Sequence, residues 1–331
     1  MERPRVTPEN LREPLHAEIR KRSSGVEWVR WLDAALALRN CSFRNVVLIT
    51  LQMPYASQVA RADIWKRFGR SITDEQQNRD IRILAPVIQD GARKAIAQEG
   101  GAELEFDRAR PARGGGRLVG FKVGSVWDIS QTDGPELPAR LQSPGRSTTD
   151  LWRALAYEVQ TAGYTLVQGK TGRRSLEGLT DYQARTVVIR RDLDDVTAVA
   201  RLAHEVAHLR MHDPKEIASA GSVMCRGIRE IEAESVAYIM LAHHGFSTGG
   251  SSFKYIASWA AAVNKREPEK VIERTGARVV SVARRLIESV DRHLRRAEFS
   301  LARRPGLDAT ALDQLTARHD AVGRSFGGPE W

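Results

Sequence analysis

His204-Glu205-Val206-Ala207-His208 places two imidazoles four residues apart with a carboxylate between them. On a helix, positions four apart share a face, so both rings can converge on one divalent transition-metal ion, Zn2+ or another. Glu205 then sits beside the ion without being a ligand. It suits general acid–base work, taking a proton from a water that the ion acidifies to a pKa of about 7 and passing it to a leaving amine. That is the chemistry of a hydrolase. A second acidic cluster follows at Glu230-Ile231-Glu232-Ala233-Glu234. Glu230 and Glu234 share a helical face, so Glu230 is the expected third ligand and Glu234 the expected partner of an imidazole, with one position left open for water. His212 comes one residue group too early for a longer three-histidine pattern and is expected to cap its helix; Glu232 faces away from Glu230 and is expected exposed or ion-paired. Tyr238, His243 and His244 are expected to pack or cap rather than to stabilise an oxyanion.

The elements that must carry these groups are legible in part. Asp192 to Asp195 reads as the cap of a helix running to about Met211, with Pro214 beyond its end. A second helix is expected over about 229–243, and others near 252–264 and 268–296. Tyr164 to Gln168 and Thr186 to Arg190 look like strands of a small sheet. Earlier in the chain, Trp28, Trp31, Leu32, Ala35 and Leu36 recur at helical spacing, 45–51 is a short apolar run, and a helix near 62–68 stops at Gly69. Ile81 to Pro86 and Leu118 to Ile129 read as strands flanking a basic, glycine-rich hairpin tip at 108–117.

The fold class expected is α+β in two domains, since 331 residues exceed the usual size of one core. An arm over 1–24 precedes a small mixed α/β domain over 25–132; a linker over 133–150, with three prolines and two glycines, leads to a mostly helical domain with a small sheet over 151–298, and a basic tail follows over 299–331. Residues 1 to about 140 are expected to fold alone. Two well-separated cysteines, Cys41 and Cys225, give neither a disulfide framework nor a metal knuckle. The charged opening stretch lacks the apolar segment of a signal peptide and no run is long enough to span a bilayer, so no membrane contact and a cytoplasmic location are expected.

The net charge is +10, with 24 Lys and Arg against 18 Asp and Glu before residue 150. Clustered cations gain affinity for polyanions through counterion release. Arg44, Arg61, Lys66, Arg67, Arg70, Arg82, Arg113 and Arg117 lie among Phe43, Tyr55, Trp65, Phe68 and Trp127, a mixture suited to single-stranded DNA, whose phosphates meet cations and whose bases stack on rings. The alternative is a solvated basic face over an aromatic core.

Through HEVAHLRMH and REIEAESVAYIM the second half resembles the ImmA/IrrE-type metallopeptidases. The first half resembles the single-stranded-DNA-binding domain of ArdC antirestriction proteins through FRNVVLITLQMPYASQVARADIWKRFGR, IRILAP and VWDISQTDGPELP. The two stretches together span roughly residues 25–290, and ArdC-like proteins join these modules in this order. The resemblance implies a zincin-like second domain, a zinc-type ion on His204, His208 and Glu230 with Glu205 as acid/base, single-stranded DNA as partner, and protection of incoming mobile DNA from restriction. After GRSI the chain reads TDEQQNRDIRILAP, where relatives commonly have a glycine-containing turn. Two other functions fit the same residues: a DNA-protecting binding protein with a structural metal, or a regulatory protease that cuts a repressor or another DNA-bound protein.

Overall fold

The structure is a computed structural model that describes residues 7–21, 24–89, 117–137, 147–171, 176–212, 223–246, 264 and 266–302. The first half contains α1 (Pro8–Lys21), α2 (Gly25–Ala37), α3 (Phe43–Gln52), β1 (Val59–Ala60), α4 (Ala62–Arg67), β2 (Ser71–Ile72), β3 (Ile81–Gln89), β4 (Arg117–Asp128) and β5 (Thr132–Asp133). The second contains α5 (Thr148–Thr161), β6 (Thr165–Gly169), β7 (Gly178–Asp181), β8 (Thr186–Arg190), α6 (Asp195–Met211), α7 (Val223–His243) and α8 (Pro268–Ala302). Helices and small sheets together make an α+β chain. The expected hairpin tip, the helix near 252–264 and the tail from Arg303 lie outside the described residues.

In the first half, β3 and β4 form an antiparallel hairpin and β1 pairs with the far side of β4, in the order β1-β4-β3. That leaves β3 at an edge, and α3 covers it. The Asn45 side chain bonds both backbone groups of Leu84, at 3.0 and 2.9 Å, and Gln52 does the same for Arg82, at 2.8 Å each. Two amides on one helix thus stand in for a neighbouring strand and satisfy the unpaired edge. The apolar run at 45–51 is therefore helical. Val46, Val47, Leu48 and Ile49 are all buried, so the run shows no polar face from which a helical period could be read. The expected arm holds α1, whose Leu15 and Ile19 are four apart and buried.

In the second half, β8 is central, parallel to β6 and antiparallel to β7. α6 lies over β7 and β8, burying Ala198, Val199, Leu202, Ala203, Val206 and Ala207. Its start is fixed by Asp194, whose carboxylate accepts from Thr197 N at 2.9 Å.

The hydrophobic core runs through both halves. Trp28 Nε1 donates to Ser235 Oγ of α7 at 2.9 Å, Trp31 stacks on Phe43 with ring centroids 4.9 Å apart, and Arg44 pairs with Glu273 of α8. Gly276 permits the close contact of α8 with α3, because a Cβ there would fall 2.1 Å from the Phe43 ring. A fragment ending near residue 140 would leave Trp28, Trp31 and Phe43 without the helices that cover them, which weighs against independent folding of that piece. A smaller apolar cluster of Ala60, Ile64 and Trp65 holds α4 in place.

Candidate metal centre

α6 and α7 bring His204, His208 and Glu230 together. The two Nε2 atoms are 3.0 Å apart, and Glu230 Oε2 lies 3.3 Å from His204 Nε2 and 3.6 Å from His208 Nε2. Both histidines are largely buried while Glu230 is half-exposed. Each imidazole is fixed from behind: Glu234 Oε2 is 2.9 Å from His204 Nδ1, and His212 Nδ1 is 3.1 Å from His208 Nδ1. With Nδ1 engaged on both rings, the Nε2 atoms and one carboxylate oxygen converge on a single point. This donor set fits a divalent ion of the zinc class.

The charge of the cluster points the same way. Burial works against a charged His204, but the hydrogen bonds and charges of Glu230 and Glu234 outweigh it and raise the imidazole pKa to about 9. Burial likewise opposes ionisation of Glu230, yet His204 and His208 hold its carboxyl well below the usual range. Without an ion, a proton on His204 Nε2 serves as the cation between the ligands. A divalent ion must displace it, so apparent affinity falls as pH drops below about 9.

Glu205 is 6% exposed and stands outside the ligand triangle. Thr180 of β7 donates its hydroxyl to Oε2 at 2.6 Å. Gly178, on the same strand, faces Oε1 so closely that a Cβ would come within 2.7 Å of it. Glu205 and Gly178 border a cavity of about 470 Å³ that His204, Glu230, Glu234 and Leu176 also line. Neither Gly178 nor Thr180 carried a signal in the sequence; only the packing of β7 against α6 places them here. Gly178→Ala should therefore displace the Glu205 carboxylate, so that any hydrolysis depending on Glu205 falls by roughly 10- to 100-fold while the capacity of the site for a metal is unchanged. Steady-state kinetics with elemental analysis of the same sample check this.

The solved structures to which the chain is similar include two crystal structures of the antirestriction ArdC protein from the R388 plasmid, one metal-free and one with Mn(II) bound. Identity is 16% and 17%, the match covers 75% of this chain and 85% and 84% of theirs, and the TM-score is 0.46 for both. No family model and no curated protein matches the sequence.

His212 occupies the cap position of α6, its backbone N–H bonding His208 O at 3.0 Å, but its ring turns inward between His208 and Glu232. Burial lowers the His212 pKa, against the pull of Glu232. Glu232 is ion-paired and buried rather than exposed, because α7 packs that face on α6 and α8. Tyr238 donates to Asp33 Oδ1 at 2.7 Å; burial and that carboxylate raise its pKa to about 12. His243 and His244 lie 3.4 and 3.2 Å from the carboxylate of Asp291 on α8. There His244 Nδ1 meets Met240 O at 2.8 Å and Arg39 Nη1 lies 3.2 Å from His243 Nδ1, so the group acts as a staple between α7 and α8.

Of the residues expected at DNA, Lys66 and Arg67 are exposed on α4, and Arg61 is exposed with Asp63 as its partner. Arg44 is tied to Glu273 and Arg82 to Asp80. The Arg70 guanidinium bonds the carbonyls of Thr132, Gly134 and Pro135. Trp65 is buried, with Nε1 bonded to Trp127 O at 2.9 Å. Arg113 and the side chain of Arg117 lie outside the described residues. Among the described residues of the first half, the exposed aromatic rings include Tyr55, 96% exposed, Phe68 and Phe121. Phe121 and the exposed Lys122 follow one another on β4, which nothing in the sequence distinguished from the rest of that strand.

Proposed function

We propose that this chain is a zinc-type metallopeptidase whose first half binds single-stranded DNA, acting in the cytoplasm to protect incoming mobile DNA. The observation that carries the reading is the meeting of three ligand atoms within 3.0–3.6 Å of one another beside a buried carboxylate that is not a ligand. His204, His208 and Glu230 would hold the ion, which supplies Lewis acidity towards water and an amide carbonyl. Glu205 takes a proton from the attacking water and returns it to the departing nitrogen. The Thr180 hydroxyl orients the carboxylate by holding Oε2. An extended polypeptide is the substrate form the site favours, because β7, which borders the cavity, has β8 on one side only among the described residues.

For DNA, the exposed rings of Tyr55, Phe68 and Phe121 and the exposed cations of Lys66, Arg67 and Lys122 are the kinds of group that single strands use. The full-length protein tests both parts at once. It should cleave an unstructured polypeptide until a chelator is added, and bind a labelled single-stranded oligonucleotide with an affinity that drops steeply as salt rises. A metal-loaded protein that cleaves no polypeptide counts against the peptidase, and a preference for duplex counts against the DNA reading.

A further inference from the structure

Behind the metal ligands a buried polar chain runs from α6 through α7 to α8. His208 Nδ1 is 3.1 Å from His212 Nδ1, His212 Nε2 is 3.1 Å from Glu232 Oε2, and Glu232 Oε1 is 3.5 Å from Arg278 Nη1. Arg278 is anchored in turn by a 2.9 Å bond from Nη2 to Met211 O. The side chains of His212 and Glu232 are 3% and 2% exposed, so bulk solvent does not compete for the bond between them. Two nitrogens face each other at the first step, and only one can carry the proton. The far end decides which. The ionised Glu232 carboxylate only accepts, so His212 Nε2 bears a hydrogen, and a neutral His212 is left with a bare Nδ1. His208 Nδ1 must then be the donor. That leaves the lone pair of His208 on Nε2, the atom that faces His204 and Glu230. Arg278 supplies the countercharge for Glu232, so His212 need not be a cation.

We propose that His212 and Glu232 are positioning residues of the metal centre, holding His208 in the tautomer and orientation that a metal ligand requires. This rests on the metal-site reading above and adds a second carboxylate arm to it. Glu234 acts on His204 directly, whereas Glu232 acts on His208 through an intervening imidazole. Ligand histidines oriented in this way bind more tightly, and losing such a partner typically weakens metal affinity by about 10- to 100-fold.

The test uses the full-length chain with Zn2+ alone as probe, titrated against a chromophoric chelator. His212→Leu removes the acceptor and should weaken affinity by about 10- to 100-fold. His212→Asn places a carbonyl oxygen where Nδ1 stands and should recover most of that loss; Glu232→Gln should fall between the two. Thermal melts in excess chelator separate loss of metal affinity from loss of stability in the metal-free fold. In the wild-type metal-free protein at neutral pH, nitrogen chemical shifts should report hydrogen on His212 Nε2 and on His208 Nδ1, a readout that needs no variant to fold. Unchanged affinity in His212→Leu, equal losses in the Leu and Asn variants, or hydrogen on His212 Nδ1 would each overturn the proposal. A wild-type chain that binds no Zn2+ overturns the metal-site reading itself, and this proposal with it.

Discussion

If the chain is the peptidase proposed above, Glu205→Gln should lower polypeptide hydrolysis by roughly 100-fold or more and leave metal content, fold and oligonucleotide binding unchanged. The substitution preserves shape and the hydrogen bond from Thr180, since an amide oxygen accepts as a carboxylate does. It removes the group that the proposed mechanism uses to carry a proton from water to the leaving nitrogen. A 100-fold loss is about 2.7 kcal/mol of transition-state stabilisation, within the range attributed to positioned acid–base groups. Glu205 touches none of the exposed rings and cations of the first half, so oligonucleotide binding has no reason to change. Kinetics, metal content and DNA affinity measured on one preparation test all three expectations. If the variant still protects incoming DNA fully and no polypeptide is cut by the wild type, the peptidase does not account for the biological role and the metal is structural.

Glu230→Ala should take the bound ion from roughly one per chain to near zero after dialysis, and His204→Ala should do the same. Three protein ligands are the fewest that hold a catalytic zinc-class ion tightly, so the site does not survive the loss of one. Glu230 is the more informative choice. It is half-exposed and its carboxylate is held by the two histidines, so its removal perturbs little packing. His204→Ala also takes away the imidazole that Glu234 holds at 2.9 Å, in a partly buried position, so it perturbs more than the ligand set. Elemental analysis gives the answer. Retention of the ion in Glu230→Ala would move the third-ligand role to Glu234, whose Oε2 lies on the Nδ1 side of His204 rather than the Nε2 side.

The candidate ligands and the candidate acid–base residue were legible from sequence because their signal is local. His204, Glu205 and His208 sit within one turn and a half of a single helix, and helical periodicity alone fixes which of them share a face. The same holds for Glu230 and Glu234 on α7. Helix α6 was readable for the same reason, with Asp194 at its cap and an apolar stripe on one side. Helix α3 was not, because burial on nearly every side erased the alternation that distinguishes helix from strand. α5 was not anticipated: its Leu151, Ala154, Leu155 and Val159 have helical spacing, yet its first turn falls where prolines and glycines suggest a linker.

What the sequence by itself determined is a helix pair carrying a candidate two-histidine, one-glutamate ligand set with a carboxylate beside it, on a chain of net charge +10. Everything that depends on contact between distant segments was decided by the tertiary structure. The gap between Thr180 and Glu205 is 25 residues along the chain and 2.6 Å in space. The chain from His208 to Arg278 joins three helices whose order in sequence says nothing of their distance. The fate of the aromatic and basic residues belongs here too. Composition cannot tell Trp65, sealed against the Trp127 backbone, from Tyr55, which stands almost wholly in solvent. Exposure is set by what the rest of the chain covers, and side-chain type records only the tendency to be covered.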